Sequence, residues 1–329
     1  MEQIGGGERQ DATQPPLIAL VGPTASGKTD LALRLAQTLP GKLNISGVEI
    51  VSADSRQIYR LMDIATAKPT AEERAIAPHH LLDVVWPDES YTLAEYQRDA
   101  QAAITAIHSR GALPLLVGGT GLYMRAVVDG LAIPSVEPQL ALRAALEAEA
   151  AARGPAALVE RLRAIDPDSA RTIDLSNVRR LIRAIEVSEV TGAPFSAQRG
   201  ARPTPYRTAL TLGVNMERAP LYARADRRIA RMLEQGLVEE TRALLQRGYD
   251  WKLPSMSSLG YREIGAYLRG EITLGGAIKQ FEFATHAYIR RQLTWFRADE
   301  RIHWLDASLP GDVLAQRALE LISDALGGG

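Results

Sequence analysis

Short apolar runs alternate with longer amphipathic segments over the first 120 residues of the chain. Apolar runs occupy residues 17–21 and 113–117, and a third run, at residues 48–54, ends in polar side chains. Such runs are typical of parallel strands that are buried on both faces of a sheet. Between them, the spacing of apolar residues predicts helices at residues 28–39 and 93–109. This alternation predicts an α/β fold with a parallel sheet that helices cover on both faces.

The pattern changes after Gly130. Residues 134–196 are rich in Ala, Leu, Glu and Arg, carry no strand-like run and are punctuated by Pro and Gly. They are therefore predicted to be wholly helical. A strand is predicted again at residues 207–214, followed by helices at about 220–247 and 275–297.

These elements predict a two-part organisation of the 329 residues. Residues 15–133 and 197–329 are expected to form the α/β core, and residues 134–196 a helical insertion domain. The polar, Gly-rich residues 1–14 are expected to be a disordered lead-in, without the apolar segment of a signal peptide. The simplest architecture is therefore an α/β core that is interrupted by helices.

Composition narrows the functions that this fold can carry. Hydrophobic residues make up 46% of the chain and charged residues 23%, and no apolar run approaches the roughly 20 residues of a membrane span. We therefore expect a cytoplasmic protein without membrane association; a monomer is expected as well, although composition does not determine the oligomeric state. Cysteine is absent, which excludes disulfides, thiolate catalysis and Cys-ligated zinc. Because the net charge is −1, a polyanionic partner would have to be held by local basic patches.

A Gly-rich turn links the first predicted strand to the first predicted helix. Its residues are Gly22, Pro23, Thr24, Ala25, Ser26, Gly27, Lys28 and Thr29. In such P-loops, backbone N–H groups and the helix N-terminus surround phosphate oxygens, Lys reaches a terminal phosphate, and the final hydroxyl binds Mg²⁺. A chance match in a Gly-rich turn is the alternative, but strand, turn and helix stand in the required order. The motif predicts a P-loop NTPase-like core that binds a diphosphate or triphosphate, without saying which.

Polar residues follow the second and third predicted strands, at the edge of the sheet where open α/β folds bind ligands. Asp54 is interpreted as a carboxylate near Mg²⁺, a general base for an acceptor group, or an N-cap or turn residue. Thr120, in the Gly-rich residues 118–121, could donate to a ligand or belong to a plain tight turn. The sequence leaves these alternatives open.

Basic residues recur on three predicted helices. They are Arg179, Arg180 and Arg183; Arg224, Arg228 and Arg231; and His286, Arg290, Arg297 and Arg301, with Arg291 and Trp295 alongside. The second set recurs at i, i+4 and i+7, opposite an apolar face. Each stripe alone is typical of a solvated helix face, but three of them in a near-neutral protein favour a polyanionic partner. Trp295 could stack on a base or pack in the core.

Eight segments, in order along nearly the whole chain, resemble the motifs of the tRNA dimethylallyltransferase family, also called tRNA isopentenyltransferases. They begin at Val21, Ser52, Thr66, His79, Leu115, Arg179, Gly260 and Arg290, and read VGPTASGKT, SADSRQIY, TAKP, HHLLD, LLVGGTGLY, RRLIRAIE, GYRE and RRQLTWFR. The resemblance implies that dimethylallyl diphosphate gives its five-carbon group to N6 of adenosine 37, beside the anticodon of tRNA. Diphosphate would leave with Mg²⁺, and the helical residues 134–196 would be the insertion domain that folds over the tRNA.

The resemblance also implies roles for matching residues. Residues 24–29 would hold the diphosphate, with Thr29 on Mg²⁺, and Arg224 would reach the same group. Asp54 would act as the base, beside the catalytic residues Lys28, Thr29 and Arg224. Adenine contacts would come from Asp54, Ser55, Arg56 and Gln57, with Thr120 beside the substrate channel. The remaining tRNA contacts would be Arg179, Arg180, Leu181, Ile182, Arg183, Gly260, Tyr261, Arg262, Arg290, Arg291, Gln292, Trp295 and Arg297.

The chain departs from the family pattern at four places. They are Arg56 where Met is usual, Ala65 where Gly is usual, Ser257 where a basic residue can occur, and extra length near residues 42–47. Three other functions remain as alternatives: a small-molecule P-loop kinase, an adenylate isopentenyltransferase that acts on free nucleotide, and a nucleotide-dependent RNA-binding switch. The first two leave the basic C-terminal helix without a use, and binding without turnover would indicate the third.

Overall fold

The computed structural model describes residues 16–134, 136–198, 206 and 209–326. Within them, parallel strands form a six-stranded sheet in the order β3-β2-β4-β1-β5-β6. The strands are β1 (Leu17–Val21), β2 (Val48–Ser52), β3 (His79–His80), β4 (Leu113–Gly118), β5 (Ala209–Asn215) and β6 (Ile302–Asp306). The predicted α/β fold with a parallel sheet is confirmed.

The described chain divides into an α/β unit, from residues 1–129 and 205–329, and a helical unit, from residues 130–204. The α-helices of the α/β unit are α1 (Lys28–Thr38), α2 (Ala71–Ile76), α3 (Leu93–Ser109), α4 (Gly121–Val128), α10 (Arg218–Glu234), α11 (Leu237–Gln246), α12 (Tyr261–Leu268), α13 (Leu274–Arg297) and α14 (Gly311–Ala325). Those of the helical unit are α5 (Leu140–Arg153), α6 (Pro155–Ile165), α7 (Pro167–Thr172), α8 (Val178–Thr191) and α9 (Phe195–Gln198). None of the described helices is long and apolar enough to cross a membrane.

Successive side chains of a strand point to opposite faces of the sheet, and helices cover both faces of the central strands. In β1, Ile18 and Leu20 pack into a core that includes α1 and α14. Leu17, Ala19 and Val21 pack on the other side, into a core that includes α3 and α4. The loops that follow β1, β2 and β4 therefore meet at one edge of the buried central part of the sheet.

The helical unit has a core of its own, and that core contains a buried carboxylate. Burial alone would raise the pKa of Glu186, but hydrogen bonds from Arg143 and Arg183 outweigh it and lower the pKa to about 2. Arg183 is thus held inside its own unit. Leu181 and Ile182 lie in the same core, at 0% and 4% exposure, so their side chains pack within the unit. Arg179 and Arg180 are exposed.

Several elements differ from the sequence prediction. The helix predicted at about 220–247 is two helices, because Gly236 adopts a left-handed φ of 95° between α10 and α11. β6 is half-exposed and lacks an apolar run, so its sequence resembles a loop. Arg301 was expected on the stripe of the last long helix, but it lies beyond the end of α13 and pairs with Asp129 and Asp299. The predicted lead-in, residues 1–14, lies outside the described residues.

Candidate active site

The P-loop follows β1 and leads into α1, as predicted. Gly22 has a φ of 148°, and a Cβ at this position would collide with the carbonyl oxygen of Val214 on the neighbouring strand β5. Gly27 has a φ of 101° and approaches the guanidinium of Arg224, where a Cβ would lie 3.3 Å from Nη2. Both positions therefore require glycine, so that the turn can close against β5 and α10.

Some polar groups of the P-loop form hydrogen bonds within the protein, and others have no partner or face a cavity. Lys28 Nζ donates to the carbonyl oxygen of Pro23 at 2.7 Å. The backbone N–H of Thr24 donates to Gln292 Oε1 at 2.9 Å. Ser26 Oγ is buried without a hydrogen-bond partner among the described residues, and Thr29 is exposed to the cavity. A buried hydroxyl without a partner in a P-loop is suited to an anionic ligand.

Helix α10 supplies cations to this loop. Its predicted apolar face is confirmed, since Leu221, Ala225, Ile229 and Met232 are buried. Arg224 lies against Gly27, and Arg228 Nη1 donates to Thr24 Oγ1 at 3.4 Å. The family resemblance implies a diphosphate contact for Arg224, whereas Arg228 is predicted only as part of the basic stripe of this helix. The i, i+4 spacing was the signal that both arginines share one face.

The cations at the P-loop are crowded and desolvated. Burial and the nearby charge of Arg228 lower the pKa of Lys28 from 10.5 to about 7, against a smaller raising effect of Asp54. Burial also lowers the pKa of Arg228. Two cations that destabilise each other in a desolvated site would both be stabilised by an anion placed between them.

A cavity of about 1030 Å³ opens beside the P-loop. The charged and hydroxyl-bearing residues along its wall include Lys28, Thr29, Asp30, Arg224, Arg227, Arg228 and Arg231. We call this region the donor side. Among the described residues no cluster of three or more His, Cys, Asp or Glu side chains could hold a metal ion.

A second group of polar residues, which we call the acceptor side, follows β2 and β4. Asp54 Oδ1 accepts the backbone N–H of Arg56 at 2.9 Å, which makes a tight turn. Thr120 Oγ1 accepts the backbone N–H of Ser55 at 3.1 Å, so the two loops are joined. Gln57 Nε2 donates to the carbonyl oxygens of Thr66 and Ala67, at 3.2 and 3.1 Å, so its amide is already engaged within the protein.

Helix α13 closes the site through close contacts with the Gly-rich residues 118–121. A Cβ at Gly119 would collide with Gln292, and one at Gly121 would collide with Trp295. Gln292 is buried, and its Nε2 donates to the carbonyl oxygen of Gly119 at 2.9 Å while its Oε1 holds Thr24 of the P-loop. Gln292 was predicted to contact tRNA. Its side chain instead ties the P-loop to the β4 loop.

The same helix carries a site residue that the sequence analysis missed, Tyr288. Burial, and then the negative charge of Asp54, raise the pKa of Tyr288 to about 12, while a hydrogen bond with Thr120 opposes the shift. Arg291 lies over the Tyr288 ring, 5.7 Å from Cζ to the ring centre. Tyr288, Arg291 and Trp295 are spaced i, i+3 and i+7, and this spacing was the available signal that they share a face.

The predicted basic stripe of α13 is therefore divided between two faces. Arg290 Nη1 donates to the hydroxyl of Tyr222 on α10 at 3.2 Å, and His286 Nε2 lies 2.8 Å from Asp226 Oδ1. These two side chains face α10, whereas Arg291 faces the acceptor side. Arg297 is exposed in the last turn of the helix.

The segment 254–262 adjoins the acceptor side. Arg56 Nη1 donates to the carbonyl oxygen of Pro254 at 2.9 Å. Gly260 has a φ of 89° and packs against Ala65 and Phe281, which leaves little room for a side chain. Tyr261 is fully buried, and its hydroxyl donates to Glu240 Oε1 at 2.5 Å, so its side chain packs in the core. Arg262 forms an ion pair with Glu263.

The fold and the P-loop together define this chain as a P-loop α/β protein with crowded cations beside the loop that follows β1. A family model described as IPP transferase matches residues 57–299. The chain belongs to this family, which the sequence resemblance had indicated under the name tRNA dimethylallyltransferase.

Individual relatives agree with this membership. The chain is 52% identical over 309 residues to a tRNA dimethylallyltransferase of Roseiflexus sp. (strain RS-1), covering 93% of this chain and 97% of the relative. It is 54% identical over 281 residues to that of Chloroflexus aurantiacus (strain ATCC 29366 / DSM 635 / J-10-fl), covering 85% and 92%.

Solved structures also match. The tRNA isopentenylpyrophosphate transferase of Bacillus halodurans superposes with a TM-score of 0.69 at 40% identity, covering 95% of this chain and 97% of that one. A eukaryotic dimethylallyltransferase acting on tRNA has a TM-score of 0.79 at 26% identity, covering 95% of this chain and 79% of that one.

Proposed function

We propose that this protein transfers the dimethylallyl group from dimethylallyl diphosphate to N6 of adenosine 37 in tRNA and releases diphosphate. The observation that carries the proposal is the arrangement of two unlike sites at one sheet edge. Crowded cations at Lys28 and Arg228 are suited to a diphosphate, and Asp54 interacts electrostatically with both of them. Membership of the IPP transferase family supports the choice of a prenyl donor over ATP.

On the donor side, the P-loop would stabilise the leaving group. The bond between the prenyl carbon and the diphosphate oxygen breaks, and negative charge builds on that oxygen. Lys28, Arg228 and Arg224 lie where they would stabilise this charge, as preorganised cations do in other transfer reactions. The unpartnered Ser26 hydroxyl and the backbone N–H groups of the loop would complete the contacts.

The residues present fit a Mg²⁺ ion that is bound mainly by the substrate. Mg²⁺ commonly binds through one or two protein oxygens together with phosphate oxygens and water. Thr29 offers one exposed hydroxyl to the cavity, and the described residues hold no all-protein metal cluster. Thr29 would therefore hold Mg²⁺, which when bound neutralises part of the charge on the diphosphate.

On the acceptor side, Asp54 would act as general base. The exocyclic amine of adenine is a weak nucleophile, because its lone pair is conjugated with the ring. As N6 attacks the prenyl carbon, one amine proton passes to the Asp54 carboxylate and the new C–N bond forms. The Asp54 turn, fixed by the Arg56 N–H, would hold the carboxylate in place.

The acceptor base must leave its stack to reach Asp54, which costs a few kcal/mol and requires contacts elsewhere on the RNA. Arg291 and Trp295, the latter 38% exposed, lie at the acceptor side and would contribute to these contacts. Arg179 and Arg180 are exposed on the helical unit and would add phosphate contacts.

The test is a transfer assay with labelled dimethylallyl diphosphate, Mg²⁺ and unmodified tRNA that carries A36 and A37, in competition with AMP and ATP. We expect label on tRNA, lost when A37 is replaced. Transfer to AMP alone would instead indicate an adenylate isopentenyltransferase. ATP turnover without transfer would indicate a kinase.

A further inference from the structure

Lys68 is a buried lysine at the wall of the cavity, and its ammonium is bound within the protein. The side chain is 2% exposed. Its Nζ donates to the carbonyl oxygen of Tyr59 at 2.5 Å, and to Asp63 Oδ1 and Asp83 Oδ1 at 2.6 Å each. These bonds use all three N–H groups of the ammonium. Lys68 therefore has no N–H left for a phosphate, and it ties together three points of the chain between residues 59 and 83.

The segment that Lys68 ties together has a strained backbone. Among the described residues, five non-glycine residues have a left-handed φ, and four of them lie in this segment: Leu61, Ala67, Leu81 and Asp83. Such conformations are unfavourable for residues with a side chain and persist only where the surroundings fix them. Ala67 directly precedes Lys68, and Asp83 is one of its carboxylate partners. The buried ammonium therefore contacts the segment where its backbone needs support.

The same part of the chain holds Gln57. The backbone N–H of Asp83 donates to the carbonyl oxygen of Gln57 at 3.2 Å. The side-chain Nε2 of Gln57 donates to the carbonyl oxygens of Thr66 and Ala67, the two residues before Lys68. Both the backbone and the side chain of Gln57 thus take their position from the segment that Lys68 fixes.

Gln57 in turn closes the loop that carries Asp54. Ser52 Oγ donates to Gln57 Oε1 at 3.0 Å, so the two ends of this loop are joined. Because the amide nitrogen of Gln57 is directed at carbonyl oxygens, its amide oxygen has to face Ser52. A chain of contacts therefore runs from Lys68 through Gln57 to the loop of Asp54.

We propose that Lys68 is a positioning residue for the transfer reaction, and that it acts through Gln57 to hold the Asp54 carboxylate in place. The inference rests on the proposed function, since it takes Asp54 as the general base. A base has to lie within hydrogen-bonding distance of the proton that it removes, and a misplacement of about 1 Å can cost roughly 100-fold in rate. The loss of Lys68 should therefore act on the rate and not on substrate binding.

The test compares the wild type with Lys68→Met, which keeps a long buried side chain and removes its ammonium. Asp63 is 60% exposed and Asp83 keeps Arg74 at 3.3 Å, so neither carboxylate is left buried without a partner. We expect kcat for transfer to an anticodon stem-loop RNA to fall by about 10- to 100-fold, with the Kd values of the RNA and of inorganic diphosphate unchanged. A wild-type kcat below the melting temperature of the variant would overturn the inference, because Lys68 would then only stabilise the fold.

A double-mutant cycle tests whether Lys68 acts through Gln57. Gln57→Met removes the amide and with it the link to the Asp54 loop. If the contacts act in series, Lys68→Met will lower kcat little further in the Gln57→Met background. Losses that multiply would show that the two residues act independently, and this result would overturn the inference.

The matched control is Arg74→Met, because Arg74 is the second cation at Asp83. Its guanidinium is 40% exposed and lies 3.3 Å from Asp83 Oδ2. Exposed ion pairs contribute little, so we expect this variant to keep kcat within about twofold of the wild type. An equal loss in Arg74→Met and Lys68→Met would overturn the inference, because it would report only the positive charge at Asp83.

Asp83→Asn gives a second test that leaves the buried ammonium in place. Asn tolerates the left-handed φ of 56° at this position, while Lys68 loses one of its charged partners. We expect a smaller fall in kcat, of about three- to tenfold, with unchanged RNA affinity. If Lys68→Met does not fold, this variant decides, and a wild-type kcat in it overturns the inference. Absence of transfer by the wild-type protein would instead refute the proposed function.

Discussion

The donor and acceptor sides lie at the same edge of the sheet, but their polar groups differ in whether they already have partners within the protein. On the donor side, the half-buried Lys28 and Arg228 lie close together, and burial and the charge of Arg228 lower the pKa of Lys28 to about 7. On the acceptor side, the polar groups already have partners: Asp54 accepts from Arg56, and Thr120 accepts from Ser55. The donor side is thus a site under charge repulsion that a bound anion would relieve, whereas the acceptor side is held in place by hydrogen bonds within the protein.

This difference indicates where substitutions should act. Changing a donor-side cation should alter ligand affinity and its pH dependence, because the repulsion is part of the binding free energy. A change at Asp54 should alter the rate while binding is kept, because the surrounding turn is fixed by backbone contacts.

The largest effect is expected for Asp54→Asn. The amide keeps an oxygen that can accept the Arg56 N–H but cannot take a proton from N6. We expect kcat to fall by at least about 100-fold, with unchanged affinity for tRNA and for dimethylallyl diphosphate. Single-turnover transfer and separate binding measurements check this. A near-wild-type rate would remove Asp54 from the base role.

The next effect concerns the cations of α10. Arg228→Met removes a half-buried guanidinium whose Nη1 lies 3.4 Å from Thr24 Oγ1. Loss of a charged hydrogen bond to phosphate costs about 1.5–3 kcal/mol, so donor affinity should fall roughly 10- to 100-fold. The matched variant is Arg227→Met, which removes an exposed arginine at the adjacent position and should have a much smaller effect. Equal losses would mean that only the net charge of the cavity matters.

A smaller, pH-dependent effect is expected at Lys28. A bound anion favours the charged ammonium, so binding takes up a proton wherever the free side chain is neutral. With a pKa of about 7 in the free protein, the affinity for inorganic diphosphate should fall as pH rises above 7, by up to about tenfold per unit.

Lys28→Arg is the control for this pH dependence, because its guanidinium stays charged over the same range while the ligand titrates as before. Calorimetric titration between pH 6 and 9 would compare the two proteins. If their pH profiles coincide, the dependence belongs to the ligand and the lowered pKa of Lys28 is not part of binding.

The comparison also explains how far sequence could predict the site. The P-loop is local, since strand, turn and helix are contiguous, so its position followed from the motif alone. The acceptor side consists of the loops after β2 and β4 together with α13. A single sequence does not show which face of α13 packs against these two loops. For this reason Tyr288 was missed and Gln292 was read as an RNA contact, although it holds Thr24 and Gly119.

Fold prediction had a similar limit. The buried strands β1 and β4 are apolar runs, and β2 is apolar apart from Glu49 and Ser52, so all three are predicted from the sequence. The edge strands gave weaker signals. β3 has two residues, and β6 mixes His, Trp and Asp with apolar residues because one side of it is exposed.

The smallest effect concerns neighbouring arginines of α13, which the sequence analysis treated as one basic stripe. Arg291 lies over Tyr288 at the acceptor side, whereas Arg290 bonds Tyr222 on α10. Arg291→Met should lower the salt slope of RNA binding by about 0.7–0.9, the value for one phosphate contact, and Arg290→Met should lower it less. Both variants lose one charge from adjacent exposed positions, so they share the same change in net charge. If Arg290→Met gives the larger loss, the RNA backbone runs along the α10 face of this helix, and the acceptor side extends further than the contacts around Asp54 indicate.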